Sequence, residues 1–183
     1  SYVEFNVSNG QVTSTTAAAD VQHVDQANGG VVISTNEMTI CDALVPKYPV
    51  VINKRDVTGE EELTDATLTV YDKNGVKVAD WVSKPNETMQ LSLEDGTYTL
   101  TETGDNVHDD KGNQYKVITS EIKFTVKDGV VTSTGSKTQY KDVDQKNGGV
   151  VIKNNNELTI CDAIVPKSEI TINKVDITGE KIA

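Results

Sequence analysis

The feature that most constrains this chain is that it repeats itself. The run FNVSNGQVTS from Phe5 returns as FTVKDGVVTS from Phe124, and VDQANGGVVI from Val24 returns as VDQKNGGVVI from Val143. TICDALVPK from Thr39 returns as TICDAIVPK from Thr159, and VINK from Val51 returns as TINK from Thr171. The order is the same each time, with one residue inserted near Asn154–Asn156. Repeats of this kind fold as one structural unit used over again. Their phase divides the chain into three. Residues 1–48 match only the C-terminal part of a repeat, 49–167 make a complete one, and 168–183 match only the first strand of the next. The expectation is a window on a longer tandem array, with adjacent repeats of the same polypeptide as neighbours. A donor-strand assembly, in which the tail completes another molecule, is the alternative. The tail is too short to restore what residues 1–48 lack.

Within the complete repeat the patterning is that of strands. Val and Thr are abundant, and Gly, Asn and Asp punctuate short apolar runs, as β structure requires. VVINKRDV reads as a strand ending at Val57-Thr58-Gly59. ATLTVYD and VKVADWV read as a hairpin about Lys73-Asn74-Gly75, and MQLSL with TYTLTET as a second about Asp95-Gly96. QYKVITSEIKFTV is one long or two short strands, turned by Lys127-Asp128-Gly129, and VVIK with ELTICDAIV closes the repeat. Many short strands with frequent turns predict an all-β, Ig-like β-sandwich, repeated in tandem. Pro46, Pro49 and Pro166 mark stiff junctions. The net charge is −11 with a pI near 4.6, so no basic stripe is available to neutralise nucleic-acid phosphates. No apolar stretch is long enough to insert in a membrane.

Three charged residues stand where apolar ones are expected. Side chains two apart on a strand share a face. That puts Lys54 with Val50 and Ile52, Glu102 with Tyr98 and Leu100, and Asp162 with Leu158 and Ile160. The opposite faces read as small or polar, with Thr97, Thr99 and Thr101 in one strand and Thr159, Cys161 and Ala163 in another. The flanking segments repeat the pattern, with Asp42 following Met38 and Ile40, and Lys174 following Ile170 and Ile172. Such residues can lie at strand ends and snorkel to water, or form a buried salt-bridge cluster. A third use is chemical. Burial favours the neutral forms of both an amine and a carboxylic acid. A neutral amine held against a neutral acid at high effective molarity can form an amide. Glu102 would then shuttle protons while water is expelled.

INKRDVTGEEELTDATLTVYD around Lys54, YTLTET around Glu102, LTICDAIVPK around Asp162 and the Trp81 of ADWVS together resemble the Cna protein B-type (SpaA-like, prealbumin-like) domains of Gram-positive surface proteins. They are especially similar to the fibronectin-binding-protein domain that was split into a tag and its catcher. The resemblance covers 49–167 and implies a spontaneous Lys54–Asp162 isopeptide bond with Glu102 as catalyst. Many members of that family carry Asn as the acceptor; Asp here would release water in place of ammonia. Asp42 and Lys174 would be half-sites whose partners lie outside the chain.

The function expected is that of a structural stalk repeat in a cell-wall-anchored, extracellular adhesin or fibre, with other chains of that fibre as possible partners. A host-ligand-binding adhesin module is one alternative, although aromatic residues make up only 5% of the chain. A sortase-polymerised pilin is another, with Lys47 and Lys167 in the VPK junctions as the candidate linkage lysines. No turnover enzyme, cofactor or metal is expected. The acidic turns at Asp142–Asn147 and Asp105–Asp110 lack the spacing of a calcium loop and read as solvated loops. Cys41 and Cys161 occupy equivalent positions and read as half-buried free thiols, with an inter-chain disulfide as the alternative.

Overall fold

The computed structural model describes residues 3–175 and 177–180, and its regular secondary structure is almost all strand. Two compact units divide at Lys47/Tyr48. In the smaller, β1 (Asn6–Ser8) and β2 (Gln11–Thr13) form a hairpin whose turn residues, Asn9 and Gly10, both have positive φ. That is the backbone a two-residue hairpin favours. β3 (Ala17–Ala18) runs parallel to β4 (Gly30–Ser34), which pairs antiparallel with β5 (Glu37–Cys41).

The larger unit is a two-sheet sandwich. Its strands are β6 (Lys47–Asp56), β7 (Thr67–Tyr71), β8 (Lys77–Val82), β9 (Met89–Glu94), β10 (Gly96–Thr103), β11 (Tyr115–Lys116), β12 (Ile122–Lys127), β13 (Val130–Ser133), β14 (Gly149–Lys153) and β15 (Glu157–Ile164). One sheet has the order β13-β12-β10-β7-β8. The other runs β11-β15-β6-β9, with β14 also paired to β15. The first strand and the last are neighbours and parallel, with Ile52 opposite Leu158 and Lys54 opposite Ile160.

The hairpin β14–β15 has the register of β4–β5: Gly149 faces Cys161 as Gly30 faces Cys41. The inserted residue falls in the turn, where Asn154 and Asn155 take positive φ, so neither strand slips. A slip of one residue would have turned every side chain to the wrong face.

Alternating residues of both sheets fill one core, including Val50, Ile52, Leu68, Val70, Leu100, Phe124, Leu158 and Ile160. Two sequence readings need correction here. MQLSL and TYTLTET do not form a hairpin. β9 joins the sheet of β6 whereas β10 lies between β7 and β12, so the Asp95-Gly96 turn carries the chain from one sheet to the other. The apolar faces of both strands had to meet across the core, and they do so better from opposite sheets. QYKVITSEIKFTV likewise divides into β11 and β12, in different sheets.

The second correction concerns β15, which is buried on both faces. Its outer residues Cys161 and Ala163 pack with Val57, Val143 and Val151 under Tyr140. Tyr140 opens a single 3-10 turn, Tyr140–Asp142, and its ring lies against Gly59, where any side chain would collide with it. A strand buried on both faces cannot be read from alternation alone.

Phe124, at the centre of the core and stacked on Tyr98 at 5.5 Å between ring centroids, should be costly to truncate. Phe124→Ala is expected to lower unfolding stability by about 3–5 kcal/mol. Thr132→Ala, on the exposed outer face, should change it by less than about 0.5 kcal/mol. Urea titrations followed by Trp81 fluorescence would compare the two.

Candidate functional site

The sandwich brings Lys54, Glu102 and Asp162 to one point in its interior. Lys54 and Asp162 come from adjacent parallel strands of one sheet, and Glu102 comes across the core from β10 of the other. The Lys54 Nζ lies 2.6 Å from Asp162 Oδ1 and 2.9 Å from Glu102 Oε1, and all three side chains are 0% exposed. Distance and direction disagree at this site. The contacts are short, yet neither has the angles of a hydrogen bond, and Asp162 Oδ2 also lacks a partner. The direction is the more telling quantity. A buried salt bridge is tolerable only when its lone pairs and protons are satisfied, and here they are not.

The two carboxyls sit in different surroundings. Glu102 is held from one side: its Oε2 accepts the backbone N–H of Ile118 at 3.1 Å, which leaves Oε1 toward the amine. Ile118 lies in the crossover between β11 and β12, and nothing in its residue type announces the role. Burial pushes the Asp162 carboxyl up to about 7. The Lys54 amine pulls the other way, while the Glu102 carboxylate adds to the effect of burial. The shift favours the protonated carboxyl, the form from which an amine can displace water.

Asp42 and Lys174 are both exposed. Ile40 is 64% exposed where its equivalent Ile160 is fully buried, and Ile172 is 89% exposed where Ile52 is fully buried. Residues 168–174 pair with no strand, and 176 and 181–183 of the tail lie outside the described residues.

The acidic turns use their carboxylates on the protein itself. Asp144 Oδ1 accepts the N–H groups of Lys146 and Asn147, and its Oδ2 accepts the Asn147 amide. Asp25 does the same with Ala27 and Asn28. Asp109 is no solvated loop residue, a further correction. It is buried, and its two oxygens accept from the Lys111 and Asn113 N–H groups, the Asn113 amide and the Tyr115 hydroxyl. Burial would raise its pKa, but those donors outweigh it and hold the carboxyl below the usual range. Asp56 is buried in the same manner, accepting from Thr58, Glu60 and Glu61. Among the described residues no group of three or more His, Cys, Asp or Glu side chains is arranged to hold a metal. No described helix is long and apolar enough to cross a membrane.

Both thiols are free, but Cys161 is fully rather than half buried, because the Tyr140 segment covers its face. Burial pushes its thiol up to about 12, against a smaller opposing pull from the Lys54 charge. Since the thiolate is the reactive form, a thiol reagent near pH 8 should label the half-buried Cys41 in the native chain and leave Cys161 untouched. Peptide mapping would check this, and labelling of both should follow only on unfolding.

The SpaA family of prealbumin-like-fold domains matches residues 49–141, a span that includes Lys54 and Glu102 and stops before β15. No curated protein matches the chain. Among solved structures, the open conformation of the pilus adhesin SpaC from Lactobacillus rhamnosus GG is similar, at 20% identity and a TM-score of 0.49. That match covers 79% of this chain and 18% of that one. A C-terminal fragment of the same adhesin is 19% identical over 79% of this chain and 56% of that one, with a TM-score of 0.49. The Bacillus anthracis TIE protein is 20% identical over 77% and 24%, with a TM-score of 0.42. The chain thus spans less than two thirds of the length of each of these.

Proposed function

The chain belongs to the SpaA family of prealbumin-like-fold domains, and on that premise we propose that residues 49–167 are a structural repeat of a bacterial surface adhesin or fibre, locked by an isopeptide bond between Lys54 and Asp162. The observation that carries the reading is the buried amine in contact with two carboxyls without hydrogen-bond geometry to either. The Lys54 nitrogen attacks Asp162 Cγ. Glu102 takes a proton from the amine and returns one to the departing hydroxyl. One C–N bond forms, one C–O bond breaks, and one water leaves. The chemistry turns over once, so the domain is a substrate of its own fold and not an enzyme.

Lys54 and Asp162 join the first and last strands of the sandwich, where tension along an extended polypeptide would enter and leave. A covalent tie there carries load past every strand between them. By analogy with a disulfide closing a loop of this size, it adds roughly 4–5 kcal/mol of stability. These properties suit a stalk on the outside of a cell, anchored to its wall.

Intact mass spectrometry tests the bond. The wild-type chain should be lighter than its sequence by one water, and Lys54→Ala or Glu102→Gln should restore the full mass. A wild-type chain of full mass would sink the proposal.

The raised Asp162 sets a pH dependence in a chain that cannot react. In Glu102→Gln, burial still holds the Asp162 proton in the folded state after the unfolded chain, at the ordinary value of 3.8, has lost it. That contribution is complete below the ordinary value of 3.8 and disappears as pH rises through the folded value, which lies lower than in the wild-type chain because the Glu102 charge that helped to raise it is gone. Urea midpoints of Glu102→Gln should fall across this window, and adding Asp162→Asn should flatten the profile.

A further inference from the structure

We infer that Gly148 is a positioning residue for the cross-link, a role that rests on the proposed Lys54–Asp162 chemistry. Gly148 belongs to the turn Asn147-Gly148-Gly149 and has φ of 79°. A Cβ built on it would lie deep inside the contact distance of the Cys161 carbonyl oxygen, 3.5 Å from Asp162 Cα and 3.3 Å from Ile118 Cγ1. The collision is with the backbone of β15 one residue before the acceptor, while the Ile118 side chain and Asp162 Cα lie at close to ordinary contact. Only a hydrogen fits against that carbonyl, so Gly148 sets where β15 lies and, through it, where the Asp162 carboxyl is held.

The repeat supplies an independent instance. In the smaller unit Gly29, of Asn28-Gly29-Gly30, has φ of 74° and presses likewise on the Cys41 carbonyl oxygen, with its Cβ direction 3.3 Å from Asp42 Cα. Positive φ alone does not explain the position. Gly135 has φ of 79° and faces open space. Gly148 therefore answers to two demands, backbone conformation and close approach, and in both copies the approach is to the carbonyl of the Cys that precedes the Asp.

Gly135→Ala is thus the matched control, carrying the same backbone strain without the collision. Chains made by cell-free synthesis would be sampled over time, and natively folded molecules, selected by size exclusion and Trp81 fluorescence, weighed for loss of water. Wild type and Gly135→Ala should lose water with the same half-time. Gly148→Ala should be slower by tenfold to about a hundredfold, the order expected when reacting groups are displaced by a fraction of an ångström to one ångström. A folded Gly148→Ala chain that reacts at the wild-type rate overturns the inference. A Gly148→Ala chain that does not fold while Gly135→Ala does also overturns the inference, because Gly148 is then required by the fold and not by the reaction. A wild-type chain that never loses water is a different result: it ends the cross-link itself, and the role of Gly148 with it.

Discussion

An amine placed in the centre of a sandwich has few ways to be tolerated. Left charged and unpaired it would cost several kcal/mol in lost hydration. Paired with one carboxylate it would still need the remaining protons and lone pairs met. Lys54 is offered two carboxyls, one from its own sheet and one from the sheet opposite, and they are not arranged to satisfy it. The rest of the larger unit follows from that placement. β6 and β15 must lie side by side for Lys54 and Asp162 to meet, and the two sheets must close face to face for Glu102 to arrive. A core of fully buried Ile52, Leu100, Leu158 and Ile160 keeps water from the site.

The parallel pairing of β6 with β15 also links packing to mechanics. In the ladder between them, successive hydrogen bonds would share a pull applied at the two ends. The outer face of β15 is covered as well, by Val57, Val143, Val151 and the Tyr140 segment. A strand buried on both faces and paired along both edges has little freedom to open locally. It is the right place for a carboxyl that must stay within reach of one amine.

Much of this was legible in the residues, for a simple reason. A strand alternates its faces, so a charge in phase with Val50 and Ile52, or with Leu158 and Ile160, shares the face that they present. Internal repetition sharpened the reading, because Asp42 and Lys174 stand in the same phase as Asp162 and Lys54. What escaped were the features that depend on which strand lies beside which. The Asp95-Gly96 turn looks like a hairpin whether its strands pair or part. Asp109 looks solvated until Tyr115 and Asn113 close over it. The Ile118 amide, which grips Glu102, is a backbone group, and every residue but proline has one.

The sequence by itself therefore determined the β class, the period of the repeat and the inward phase of three charged side chains, since each of these is a local pattern carried by neighbouring residues. The tertiary structure alone decided that the three meet, at what distance and angle, and which backbone groups hold them. Those depend on contacts between segments far apart in the chain, where geometry is set by the packing of whole sheets and by a glycine with room for nothing more than hydrogen.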